Sequence, residues 1–243
     1  MRSGALAIAF LSATGARAQA ITIVDGEHER EQLLGAFPQK VVDVADPTEG
    51  GRHRRLAGVE VARVLEGTAT PAGADTLLVR CDDGWLTLVP LEFLRAHHPL
   101  LATTSVERSG PVPIDAPRGP VFLVWPDGGR SDLWSFSVHS LAYGRAETLY
   151  AVGAPTPDAS PAVKHGWSVY RASCLHCHAA GGFGGMAAWD LTSPSIVKFR
   201  GADRVRAFIL DAKRLVPEGH MPSFRGTLPA RDIDDVVAYL GIW

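Results

Sequence analysis

Sulfur is scarce in this chain, with three cysteines and three methionines in 243 residues. Three cysteines are too few for the disulfide framework of a small secreted scaffold. Excess charge is lacking too. The formal net charge is −2, which leaves no electrostatic footprint for nucleic acid. Beyond the N-terminus no apolar run is long enough to span a bilayer. With 46% apolar residues the chain can still bury a normal core. Its length suits one large or two modest domains.

Two of the three cysteines sit together, in Cys174-Leu175-His176-Cys177-His178. Two cysteines three apart, followed at once by histidine, form the attachment signature of a c-type haem. Each thiol adds across a haem vinyl group, and the adjacent His178 becomes the proximal iron ligand. The competing reading is a zinc or disulfide pair. Zinc normally takes four protein ligands, and the remaining cysteine, Cys81, is far away. His176 is expected to be a solvent-facing spacer. A Met/His-ligated haem needs a thioether from a later segment. Met186 follows His178 too closely for an easy return to the opposite haem face. Met221 lies between prolines in Pro217-Glu218-Gly219-His220-Met221-Pro222, a stiff non-helical loop. His220 is the rival, since bis-histidine haems exist. The expected axial pair is His178 and Met221.

The motif sits in a helical context. A first helix is predicted from about Pro161 or Ala162 to the motif, a second over Ala202 to Ala212, and a last one from near Pro229. Acidic Asp232, Asp234 and Asp235 suit the start of the last helix, and Ile233, Val236, Val237 and Leu240 form its apolar stripe. This order resembles the class I monohaem cytochromes c over residues 162–243. The resemblance implies an all-α domain with one covalent haem c. It also implies that Gly166 and Tyr170 of the first helix meet Tyr239 of the last.

The N-terminus reads as a secretory signal peptide over residues 1–20. Arg2 gives a positive start, Ala5 to Leu11 is a short apolar stretch, and small-x-small sites allow cleavage near Ala18 or Ala20. A retained membrane anchor is the alternative. Export fits the haem motif, because c-type haem is attached outside the bacterial cytoplasm. The expected compartment is the periplasm.

Residues 21–150 alternate short β-rich runs with Gly/Pro turns. Strands are predicted at Ile21–Val24, Val41–Val44, Thr76–Arg80, Trp85–Val89, Val121–Trp125 and Trp134–Val138. Helices are predicted at His28–Leu34, Val59–Leu65 and Leu91–His97. The fold class is therefore α+β, a mixed domain of mostly antiparallel strands followed by an all-α domain. Arg52 to Arg55 reads as a solvated turn, and residues 151–161, with Pro155, Pro157 and Pro161, as an extended linker. The stretches Leu56 to Leu65, Cys81-Asp82-Asp83-Gly84-Trp85 and Gly119 to Pro126 resemble a shortened molybdopterin-binding domain of the sulfite oxidase superfamily. Catalytic members carry a metal-ligand cysteine upstream of the Gly-Val segment. This chain has none there, so the resemblance implies a cofactor-free module and no molybdopterin. Cys81 is read as a buried core thiol; a molybdenum ligand or an intermolecular disulfide are the alternatives. His53, His97, His98 and His139 have no ligand spacing and read as surface histidines. Trp85, Trp125 and Trp134 read as packing residues.

The expected function is a periplasmic c-type cytochrome subunit. It passes electrons between a partner dehydrogenase or oxidase and a downstream acceptor, with residues 21–150 as a docking or assembly module. Peripheral association with a membrane complex is compatible with this. The alternative is a molybdenum oxidoreductase with a built-in haem relay. A peroxidase-like haem enzyme is a third reading, disfavoured by a tight Met221 ligand. On this view residues Ala179 to Phe183 and the Met221 loop should face the partner. Removing residues 21–150 should also leave the haem unaffected.

Overall fold

The computed structural model describes residues 19–114, 119–127 and 130–243. The proposed signal peptide therefore lies outside the described residues, except for Gln19 and Ala20. Strand β1 (Ala20–Val24) alternates cleanly, with Ile21 and Ile23 turned into the core. It is followed by β2 (Glu29–Leu33), β3 (Lys40–Asp46), β4 (Arg52–Glu60) and the short helix α1 (Val61–Val64). Next come β5 (Thr76–Cys81), β6 (Leu86–Pro90), α2 (Leu91–His97), β7 (Leu100–Glu107), β8 (Gly110–Pro113), β9 (Phe122–Val124) and β10 (Val138–Gly144). One sheet has the order β2-β1-β10-β5-β6, parallel only between β1 and β10. The other runs β3-β4-β7-β8, with β9 also on β7, and is antiparallel throughout. One apolar cluster takes side chains from both sheets, including Ile21, Val44, Leu56, Val79 and Leu141.

Three local expectations fail here, each for a reason that lies outside the local sequence. The predicted helix at His28–Leu34 is the edge strand β2, whose charged residues suit an exposed sheet edge. The predicted turn at Arg52–Arg55 is the start of β4. Its basic side chains meet carboxylates across the strand pair, His53 with Asp43 at 2.5 Å and Arg54 with Asp46 at 3.2 Å. The predicted strand at Trp134–Val138 is shortened: Ser135 makes only a single bridge to Leu123 of β9, β10 begins at Val138, and Ser131–Leu133 before it forms a 3₁₀ turn.

The chain continues through α3 (Ala146–Ala151) to α4 (Pro161–Ser173), α5 (Ile196–Arg200), α6 (Ala202–Leu215) and α7 (Ala230–Leu240). Helix α4 starts on Ser160, whose hydroxyl accepts the Val163 N–H, with Pro161 in the first turn. Extended backbone at Asp211 kinks α6 near its end. A second apolar cluster joins α4, α6 and α7 through Trp167, Tyr170, Ile209, Ile233 and Tyr239. Gly166 is where α4 and α7 touch. A Cβ there would lie 1.9 Å from the Asp235 carbonyl oxygen and 3.0 Å from the Tyr239 Cβ. The Tyr170 and Tyr239 rings lie beside it, 5.3 Å apart. In the Pro-rich connection, the Gly153 carbonyl accepts the Tyr239 hydroxyl at 2.7 Å. No helix of the described residues is long and apolar enough to cross a membrane.

Candidate haem site

Helix α4 ends where the cysteine motif begins, and the motif is folded as a turn. The amides of Cys174 and Leu175 donate to the Tyr170 carbonyl. Those of Cys177 and His178 donate to the Cys174 carbonyl at 3.1 and 2.9 Å. The three predicted site residues of the motif are thereby held in one turn. Tyr170 fixes its exit as well, since the fully buried phenol donates to the Ala179 and His178 carbonyls at 2.9 and 3.2 Å.

The donor chemistry suits a covalently held haem. Burial, then Cys177, pushes the Cys174 thiol up to about 12. Burial, then Asp83, pushes the Cys177 thiol up to about 11. Both thiols are therefore protonated at physiological pH. Burial lowers the His178 pKa, so the ring is neutral. Its Nδ1 donates to the Trp189 carbonyl at 2.8 Å, leaving Nε2 as the lone-pair nitrogen. Met221 lies on the loop between α6 and α7, partly buried against the cluster that also carries Cys174. Met186 is different, with a side chain 80% exposed and its amide tied to the Gly84 carbonyl at 2.7 Å. His220 is exposed.

The glycine run after the motif has a packing reason. A Cβ on Gly185 would fall 1.9 Å from the His176 carbonyl oxygen, and one on Gly184 would fall 2.6 Å from that of His178. Only glycine lets this strand of chain lie against the motif backbone. Asp190 braces the same loop, accepting from the Gly182 amide at 2.9 Å and the Thr192 hydroxyl at 2.5 Å. Burial raises its pKa, but these and further bonds from the Thr192 and Ser193 amides hold it below the usual carboxylate range.

Two sequence expectations are corrected at this site. His176 is not a solvent-facing spacer. Its ring stacks on Trp85, centroids 5.0 Å apart and planes 10° apart. Its Nδ1 donates to the Leu86 carbonyl at 2.8 Å, and the Leu86 amide donates back to the His176 carbonyl at 2.9 Å. Ala179 and Ala180, expected at the partner-facing edge, are buried; Gly181 and Gly182 are the exposed part of that stretch. Trp85 and Leu86 are thus site residues that the sequence reading missed. The available signal was a large aromatic directly after the Asp82-Asp83-Gly84 turn, where a side chain is presented outward.

The other candidates separate. Cys81 is 3% exposed in the first core cluster, and burial drives its pKa far up. His53, His97 and His139 each pair with a different aspartate: Asp43, Asp127 and Asp82. His98 caps α2 in left-handed backbone. No group of three or more metal-binding side chains gathers among the described residues.

Comparison with known proteins bears on the second domain. Residues 161–240 match the family model described as cytochrome c oxidase, cbb3-type, subunit III. Cytochrome c6 of Microcystis aeruginosa is 36% identical over 75 residues, which is 31% of this chain and 89% of that protein. Among solved structures, the sulfane dehydrogenase SoxCD of Paracoccus pantotrophus aligns with 55% of this chain at 17% identity and a TM-score of 0.42. The chain spans only 40% of that one. The matches to residues 161–240 imply a haem c cofactor and electron transfer. Through this domain the chain belongs to the cytochrome c family.

Proposed function

We propose that this chain is an exported single-haem cytochrome that passes electrons between a partner oxidoreductase and a downstream acceptor. The observation that carries this is the motif turn, with both thiols and a neutral, oriented imidazole presented within five residues. Haem c, when bound, supplies one-electron exchange at iron. The chain's own residues do the rest. Cys174 and Cys177 would anchor the group covalently. His178 would be its iron ligand, its ring oriented by the Trp189 carbonyl. Met221 would supply a thioether ligand from a proline-flanked loop. Its partial burial supports it over the exposed Met186 and His220.

The remaining assignments follow the same reading. Residues 1–20 direct export to the periplasm. Cleavage after Ala18 suits the fold, because β1 starts at Ala20 and the Gln19 side chain donates to the Thr103 carbonyl at 3.2 Å. Residues 21–150 form a sulfite-oxidase-like domain that binds no molybdopterin and docks the partner. The absence of a cysteine upstream of Gly58 supports this, and Cys81 sits in the first apolar core instead.

One preparation tests these points together. Acid-acetone extraction should leave one haem per chain on the polypeptide. Metal analysis should give well under one molybdenum per haem. Extractable haem would overturn the attachment, and stoichiometric molybdenum lost on Cys81→Ser would make the chain a molybdenum oxidoreductase with a haem relay.

A further inference from the structure

A chain of contacts runs from the interior of the first domain to the residue between the two motif cysteines. Ser135 and Thr87 are both fully buried, with hydroxyls 2.9 Å apart. Thr87 Oγ1 accepts the indole N–H of Trp85 at 2.8 Å. The Trp85 amide is pinned in turn on the Asp83 carboxylate at 2.9 Å. The indole stacks on the His176 ring, and Leu86 exchanges two hydrogen bonds with His176. Gly84 approaches the same segment so closely that a Cβ would fall 2.4 Å from the Ala187 nitrogen. His176 is therefore held on its ring face, its ring edge and its backbone by the first domain. A spacer in an attachment motif has no chemical duty of its own. A hold on three sides needs a different explanation.

We infer that Trp85 is a positioning residue for electron exchange: acting through His176, it fixes the Cys174–His178 turn, shields that side of it from water, and so sets the reduction potential. This rests on the haem-attachment reading above. The potential of an iron centre follows the orientation of its ligands and the dielectric around it. Water stabilises the more highly charged oxidised form, so loosening the hold lowers the potential. Trp85 itself is locked by buried groups, so the first domain contributes a rigid wall to the site.

The test uses the full-length haem protein. Trp85→Ala should shift the potential downward and speed amide exchange over residues 174–178 and 184–188 by about tenfold, the scale of one lost stack or hydrogen bond. Trp85→Phe keeps a stacking ring and should restore most of both. His176→Ala removes the same stack from the other side without touching the first domain's core, and it should act in the same direction. Unchanged potential and exchange in a folded Trp85→Ala protein would overturn the inference. If the protein carries no covalent haem, the electron-transfer reading fails instead; the exchange measurement still decides whether Trp85 holds the turn.

Discussion

At the scale of single residues, the two candidate thioethers occupy opposite environments, one 80% exposed at Met186 and one packed on the second core at Met221. Met221→Ala should abolish the weak long-wavelength band of thioether-ligated ferric haem and lower the potential, while Met186→Ala leaves both intact. Survival of the band in Met221→Ala would move the ligand to His220 or Met186. Asp190 carries a pH prediction. Its pKa is lowered in the folded chain, so its stabilisation is present above the unfolded value and is lost as pH falls through the folded one. Unfolding midpoints measured below about pH 4 should fall in the native protein and change less in Asp190→Asn. The attachment residues were legible because their chemistry lies in consecutive positions. The role of His176 was not, because its partner Leu86 is 90 residues away in sequence.

Among the elements, three helices of the second domain were read nearly to their ends, with α4 over Pro161–Ser173 and α7 from Ala230, while the short α5 was not predicted. Their caps and stripes are local signals, which is why a single sequence shows them. The first domain was less legible. Strand β4 opens with four basic residues whose partners lie on β3, and β2 has no apolar alternation to announce it. Pairing decides such strands, and pairing is not written within them. The helix crossing at Gly166 gives a direct test. A methyl there would collide with the Asp235 carbonyl, so Gly166→Ala should cost about 2 kcal/mol of stability, read by denaturant unfolding of the haem-containing protein. A loss smaller than a few tenths would mean that α4 and α7 can part without penalty.

For the whole molecule, the contacts between the two domains change what removal of residues 21–150 should do. The two hydrogen bonds of Leu86 and the one from Met186 are each worth about 1 kcal/mol net, and the Trp85 stack adds a similar amount. Truncation takes all of them away. The truncated protein should therefore show a lower potential as well as weaker binding to the partner oxidoreductase, measured by titration against that enzyme. An unchanged potential would mean that the two domains are independent. The parallel pairing of β1 with β10 has a further consequence, for maturation. The first sheet cannot close until residues 20–24 lie beside residues 138–144, and such distant pairings form slowly. The cysteine motif follows 30 residues later and is free in the meantime. Once the sheet is closed, Trp85 and Leu86 cover the middle of the motif. Haem attachment at Cys174 and Cys177 should therefore be easier before closure than after it. An unfolded apo-chain should accept haem faster than one allowed to fold first.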